Sequence, residues 1–324
     1  MTVLVTGAAG FIGFHVARRL LESGAAVVGV DSVNAYYDVG LKRARLAELA
    51  RFANFRFVEG DIAEPGVLEQ AIPRQDVTVI VHLAAQAGVR HSIEAPFAYE
   101  RANVAGHLSV LEYARHAPKL EHLVYASSSS VYGDRTSGPF REDDRCDAPA
   151  SLYAATKRAC ELMSETYARL YGIPQTGLRF FTVYGPWGRP DMAYFSFTDK
   201  ILRGEPVTLF GEGKLSRDFT YIDDVSTAIE TIIGKPAQGD KQAGMPPHAI
   251  YNLGNSRPNT VLELVAAIEK ATGRTAERIL APTQPGDVTV TFADHARATA
   301  AFGFAPKTGL EEGIANFVAW RAGS

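Results

Sequence analysis

In the run Ser151-Leu152-Tyr153-Ala154-Ala155-Thr156-Lys157, a phenol and an ammonium stand four residues apart. The pattern predicts a helix over residues 151–171, which puts both side chains on one face, a turn apart. A phenol is a poor base, with an ordinary pKa of about 10, but a neighbouring ammonium favours the phenolate and lowers that value. A tyrosine tuned in this way can take a proton from a sugar hydroxyl, and return it, near neutral pH. The same pair also occurs on ordinary surface helices, so the elements around it have to carry the reading.

Those elements begin at the N-terminus. Val3 to Thr6 reads as a buried strand, and Gly7-Ala8-Ala9-Gly10-Phe11-Ile12-Gly13 turns it into a helix running to about Ser23. Glycines in such a turn allow a tight bend and close approach of a pyrophosphate to backbone N–H groups, and the helix N-terminus adds partial positive charge. The spacing is GxxGxxG, and its placement between strand and helix is the context a dinucleotide site requires. The next strand, Ala26 to Val30, ends at Asp31, whose carboxylate can accept hydrogen bonds from an adenosine ribose and repel a 2′-phosphate. NAD is therefore expected over NADP.

A third strand covers Phe55 to Val58, with Asp61 and Ile62 beyond its end to flank an adenine. A fourth covers Val77 to Leu83 and leads into the small residues Ala84-Ala85-Gln86-Ala87-Gly88. A fifth covers Leu123 to Ala126 and is capped by Ser127 to Ser130. Helical periodicity fills the intervening segments, notably Glu94 to His116. Strands alternating with helices predict an α/β fold, a doubly wound parallel sheet of Rossmann type. From about Phe181 glycine and proline become denser, and a smaller, loop-rich C-terminal lobe is expected. Residues 1–180 are assigned to NAD binding and 181–324 mainly to the second lobe, with about 220–255 returning to the first sheet. Pro236 to His248 reads as a mobile surface loop.

Composition excludes several classes. The chain of 324 residues is 46% hydrophobic and 21% charged, as in a soluble globular enzyme. A net charge of −3 argues against nucleic-acid and polybasic membrane partners. The two cysteines, Cys146 and Cys160, are too few for a disulfide framework and read as thiols in a reducing compartment. The eight histidines show no ligand spacing, so no metal is expected. The chain runs directly into its first strand and contains no membrane-length apolar run, which predicts a cytoplasmic protein.

With the glycine-rich turn, Asp31, the serine cluster and Tyr153/Lys157 in order, the chain resembles an extended short-chain dehydrogenase/reductase over essentially its whole length. Within that superfamily it is most similar to UDP-glucuronate 4-epimerases. The matching stretches run from Asp31 to Asp38, from His82 to Arg90, from Arg179 to Met192, from Ser216 to Val225 and from Gln284 to Asp287. The third is the most specific.

The resemblance implies roles. Ser128, four residues before Tyr132, would bond the reacting hydroxyl and share the proton relay with Tyr153. Lys157 would also hold the nicotinamide ribose, and Asn103 would orient the catalytic helix. Asn34, Leu83, Ala84 and Ala85 would join Gly7, Gly10, Phe11, Ile12, Gly13, Asp31, Asp61 and Ile62 around the cofactor. Gln86, Arg90, Ser129, Ser130, Thr182 and Arg189 would face the sugar. Arg217 and Arg278 would meet the UDP phosphates, where a guanidinium fork suits a diphosphate. The implied activity is interconversion of UDP-glucuronate and UDP-galacturonate through a 4-keto sugar, with bound NAD regenerated each turnover, in a homodimer paired through segments 94–116 and 151–171.

Decarboxylases and dehydratases share the oxidation at C4. In those relatives acidic residues stand between the catalytic hydroxyl and the Val-Tyr-Gly, where this chain has Ser129 and Ser130. A neutral UDP-hexose 4-epimerase would fit less well with Thr182 and Arg189. A non-catalytic NAD-binding sensor would have no need of an intact Ser128, Tyr153 and Lys157.

Overall fold

A computed structural model describes residues 1–135, 138–240, 242–283 and 290–323. The Gln284 to Asp287 stretch lies outside the described residues. The first half alternates as the apolar runs dictate: β1 (Thr2–Thr6), α1 (Phe11–Glu22), β2 (Ala26–Asp31), α2 (Val39–Leu49), β3 (Phe55–Glu59), α3 (Val67–Ala71) and β4 (Val79–His82). Short helices α4 (His91–Glu94) and α5 (Pro96–Tyr99) lead through a π-helical stretch, Glu100–Ala105, into α6 (Gly106–Arg115). Then come β5 (His122–Ser128), the long α7 (Leu152–Tyr171) and β6 (Gln175–Phe180).

The second half holds β7 (Thr182–Tyr184), α8 (Ala193–Arg203), β8 (Val207–Phe210), β9 (Ser216–Tyr221), α9 (Ile222–Ile233) and β10 (His248–Leu253). It closes with β11 (Pro258–Thr260), α10 (Val261–Thr272), β12 (Arg278–Ala281), β13 (Val290–Thr291), α11 (Ala296–Phe302) and α12 (Leu310–Ala322).

Seven strands form one parallel sheet in the order β10-β6-β5-β4-β1-β2-β3. The chain reverses direction of travel between β1 and β4, the switch point at which doubly wound sheets open a crevice beyond the strand ends. Strands buried on both faces explain the near-continuous Val, Leu and Ile in β1, β2 and β4. β10 comes from far along the sequence and pairs with β6 from His248↔Gln175 to Leu253↔Phe180. β7, β9, β11 and β13 form a second, smaller sheet, and β8 pairs with β12.

Several boundaries differ from the sequence expectation. The fourth strand spans only Val79–His82. Pairing of β5 with β6 continues to Ser128↔Phe180, so Ser127 and Ser128 end a strand rather than cap it. Ser151 precedes α7 as its N-cap, accepting from Ala154 N at 3.1 Å. The 94–116 segment is not one helix, because Pro96 lacks an N–H and starts a new one. Among the described residues, no helix is long and apolar enough to cross a membrane.

Candidate active site

The crevice at the switch point is a cleft of about 250 Å³. Its floor is the β1–α1 turn. Gly7 has φ +75°, and a Cβ there would sit 2.7 Å from the Ala84 backbone nitrogen. A Cβ on Gly13 would sit 2.0 Å from the Gly7 carbonyl oxygen. Only glycine permits this closeness of helix, turn and β4 exit. Gly10 caps α1 without a side-chain bond, and no acidic residue lies in the first turn. The first amides of α1 therefore keep their donors for a ligand, and the residues carrying them line the cleft.

Asp31 stands at the end of β2 and accepts from Ala9 N at 3.1 Å and Val33 N at 2.8 Å. Burial pushes its pKa up, opposed by those N–H donors and by Lys42 and Arg45. Asn34 is held by the Lys42 ammonium, which donates to its carbonyl and its Oδ1 at 2.8 Å each. Asp61, Ile62, Leu83, Ala84, Ala85 and Gln86 complete this part of the wall. The uncapped helix end, the carboxylate and the apolar wall together fit a dinucleotide.

Across the cleft stand Ser128, Tyr153 and Lys157. Lys157 is buried and donates to the Ala126 carbonyl at 3.0 Å, tying α7 to the end of β5. Ser128 Oγ accepts from Ser130 N at 3.2 Å and lies 3.0 Å from Ser130 Oγ. Asn103 lies behind the wall. It donates to Thr156 Oγ1 and to the Gln86 carbonyl, both at 3.0 Å, and accepts from Gln86 N at 2.8 Å. One buried amide thus couples α7 to the β4 exit.

Arg189 also reaches the cleft, paired with Asp191 at 2.5 Å. Burial opposes its charge, but the Asp191 partner raises its pKa overall, and Arg189 in turn draws the Asp191 carboxyl below its ordinary value although burial would raise it. Other expected residues stand apart from this stretch of wall. Ser129 and Ser130 belong to a one-turn helix behind Ser128, and Thr182 opens β7 between the lining residues Phe181 and Val183. Arg90 lies 5.4 Å over the Phe210 ring. Arg217 on β9 donates to the Ser216 carbonyl at 2.9 Å. Arg278 on β12 pairs with Glu269 at 2.7 Å on the β8–β12 side of the molecule.

The structure adds residues that the sequence reading did not assign, among them Tyr36, Tyr37, Lys42, Phe180 and Met192. Tyr36 and Tyr37 stood inside a motif already singled out. Lys42 had no signal in the sequence, and only the fold buries it on α2.

Residues 3–254 match the profile of the NAD dependent epimerase/dehydratase family. This chain belongs to that family. It is 47% identical over 331 residues to a probable UDP-glucuronate 4-epimerase of Rhizobium meliloti, covering 99% of this chain and 96% of that protein. Its fold matches a UDP-glucuronic acid 4-epimerase of Bacillus cereus solved with UDP-glucuronic acid and NAD, at 33% identity, a TM-score of 0.90, and 100% and 99% of the two chains. A UDP-glucose 4-epimerase of Thermotoga maritima solved with UDP-glucose matches at 32% identity and a TM-score of 0.87, over 100% and 99%. The glycine-rich turn and the Tyr153/Lys157 helix face one cleft.

Proposed function

We infer that this protein is an NAD-dependent 4-epimerase interconverting UDP-glucuronate and UDP-galacturonate. The observation that carries the inference is one cleft joining a dinucleotide turn, the Ser128/Tyr153/Lys157 set and Arg189, in a chain 47% identical to a probable UDP-glucuronate 4-epimerase. NAD held there would supply the acceptor for the C4 hydride of the sugar and its donor on the return. Tyr153 accepts the C4 hydroxyl proton and later returns it, Ser128 bonds the same oxygen, and Lys157 holds positive charge beside the phenol. The 4-keto sugar turns in the cleft between the two transfers.

A 4-keto uronate carries a ketone β to its carboxylate and loses carbon dioxide readily, so an epimerase has to hold that carboxylate. We assign the grip to Ser129, Ser130 and Thr182, with Arg189 adding charge; short hydroxyls bond an anion without offering a proton-transfer carboxylate. Gln86 and Arg90 complete the sugar side, and Arg217 with Arg278 is assigned to the diphosphate. For Arg278 this requires the β12 side to approach the cleft, since it now pairs with Glu269. Residues 1–180 serve the cofactor and 181–324 mainly the nucleotide sugar, with about 220–255 completing the large sheet; the register of β10 on β6 supports this division.

Ile93 on α4, Phe97 on α5 and Leu108 on α6, and Leu152, Leu162, Leu170 and Tyr171 on α7, are exposed. Such an apolar surface suits pairing with a second copy. Cys146 and Cys160 are buried free thiols, as befits a cytoplasmic protein. The deciding experiment is incubation of purified protein with UDP-glucuronate and separation of the products. UDP-galacturonate in the mixture supports the reading; mainly UDP-pentose indicates a decarboxylase, and turnover of UDP-glucose alone a neutral-sugar epimerase.

A further inference from the structure

Arg45, on α2, is fully buried, yet no carboxylate forms a salt bridge with it among the described residues. Its five N–H donors are all engaged. Nε and Nη2 donate to the Trp187 carbonyl at 3.1 and 2.7 Å, and Nη2 also to the Gly188 carbonyl at 2.9 Å. Nη1 donates to the Ala9 carbonyl at 2.8 Å and to the Tyr37 hydroxyl at 2.6 Å. Burying a guanidinium is costly unless every donor is met, so this convergence of acceptors from three places in the chain is a built site.

The acceptors come from both sides of the cleft. Ala9 lies in the glycine-rich turn, and its own N–H is held by Asp31. Trp187 and Gly188 begin the loop that presents Arg189. Trp187 has φ +60°, a conformation a bulky side chain adopts only when its surroundings impose it. Arg45 grips that residue's carbonyl with two donors. His15 on α1 adds a second tie, donating from Nε2 to the Pro186 carbonyl at 2.9 Å. Trp187 itself packs against Phe14 of α1 with ring centres 5.3 Å apart.

We propose that Arg45 is a positioning residue that locks the cofactor turn and the Arg189 loop into one unit, so that NAD and the sugar acid are bound interdependently. The proposal rests on the functional reading above. A loop freed from Arg45 relaxes at Trp187 and withdraws Arg189. A turn freed from Arg45 loses the support of Ala9, and with it the alignment of Asp31. Lysine cannot replace the latch, because a single ammonium cannot span acceptors set around a planar fork.

The test uses wild type, Arg45→Gln, Arg45→Lys and Tyr37→Phe, each stripped of NAD and assayed with UDP-glucuronate across a range of added NAD⁺. In Arg45→Gln and Arg45→Lys, both the KM for UDP-glucuronate and the NAD⁺ concentration for half activity should rise about tenfold or more. At saturation of both ligands, kcat should fall by less than about threefold. Tyr37→Phe should move both constants the same way by a smaller factor, and it decides the matter where an Arg45 variant does not fold. A lowered Tm with both constants at wild-type values, or a change confined to one ligand, overturns the proposal. Were wild type inert toward UDP-glucuronate, the functional reading would fail; calorimetric Kd values for NAD⁺ and UDP-glucuronate would then test the latch by the same paired rise.

Discussion

Arg179 and Glu161 meet through two bonds, Nε to Oε1 at 2.8 Å and Nη2 to Oε2 at 2.9 Å, with both side chains out of solvent. Glu161 lies one turn beyond Lys157 on the catalytic helix, and it also accepts from Ser127 Oγ at 2.6 Å, next to Ser128. Burial would raise the Glu161 pKa, but the Arg179 fork, joined by bonds from Ser127 and Arg158, reverses that and holds the carboxyl below its ordinary value. The guanidinium lies 4.7 Å over the Tyr132 ring. One buried pair thus ties α7, β5 and β6 together at the point where Ser128 and Tyr153 must meet.

Glu161→Gln leaves the Arg179 charge buried without its counter-ion. Removing one partner of a buried pair costs about 3–5 kcal/mol, so urea unfolding should show a midpoint lowered by that much stability. A midpoint unchanged within error would mean that the pair does not hold these elements together.

Tyr153→Phe keeps the ring packing against Tyr99, whose centre is 6.0 Å away, and removes only the hydroxyl. Turnover of UDP-glucuronate should fall by about 10²–10⁴-fold with the circular dichroism spectrum unaltered. Near-normal turnover would refute the relay.

Asp31 should select the cofactor. Purified protein is expected to carry NAD(H), and NADP⁺ should fail to restore activity to stripped protein. In Asp31→Ser, the repulsion of a 2′-phosphate is gone while Lys42 remains nearby, so the ratio of NADP⁺ to NAD⁺ activity should rise. Equal recovery of wild type with either cofactor would sink this reading of Asp31.

If short hydroxyls grip the sugar carboxylate, Ser130→Ala and Thr182→Val should weaken acidic-sugar binding or release UDP-pentose, while neutral UDP-sugars bind no worse. Mass spectrometry of the product mixture decides. Unchanged handling of UDP-glucuronate by both variants would remove them from the grip.

Acid should destabilise the fold through buried histidines. Burial holds His15, His122 and His248 at pKa values of about 4, and His107 at about 3. The unfolded chain titrates them near 6.5, so between about pH 6.5 and 4 it binds more protons than the native state, and stability falls as pH falls. The urea midpoint should therefore drop from pH 7.5 to pH 5. His107→Gln, which keeps a polar group beside Ser164, should reduce proton uptake on unfolding by about one. A pH-independent midpoint across this window would show that these rings are not held neutral.

Much of the site was legible because its signals are local. The Tyr153/Lys157 spacing needs only a helix, and α7 supplies one from Leu152 to Tyr171. The glycine-rich turn needs only a strand before it and a helix after it, and Asp31 only the end of the next strand. These patterns are written in neighbouring residues, and backbone geometry turns them into placement without further information. Boundaries were less legible. Where β5 ends is set by its pairing with β6, a partner about 50 residues away, and nothing within Ser127 to Ser130 reports it.

By itself the sequence determined the doubly wound fold, the dinucleotide turn and the proton-relay face of α7, since each follows from periodicity or turn chemistry over a few residues. Tertiary structure alone decided which charges are buried and what they hold. In the sequence Arg45, Arg179 and Arg278 are similar cations on or beside regular elements. In the fold Arg278 keeps a partly exposed ion pair with Glu269, Arg179 is sealed against Glu161, and Arg45 is sealed among carbonyls up to 143 residues away. The free energy of a buried charge depends on which donors and acceptors converge around it. That convergence exists only once distant segments have been packed together.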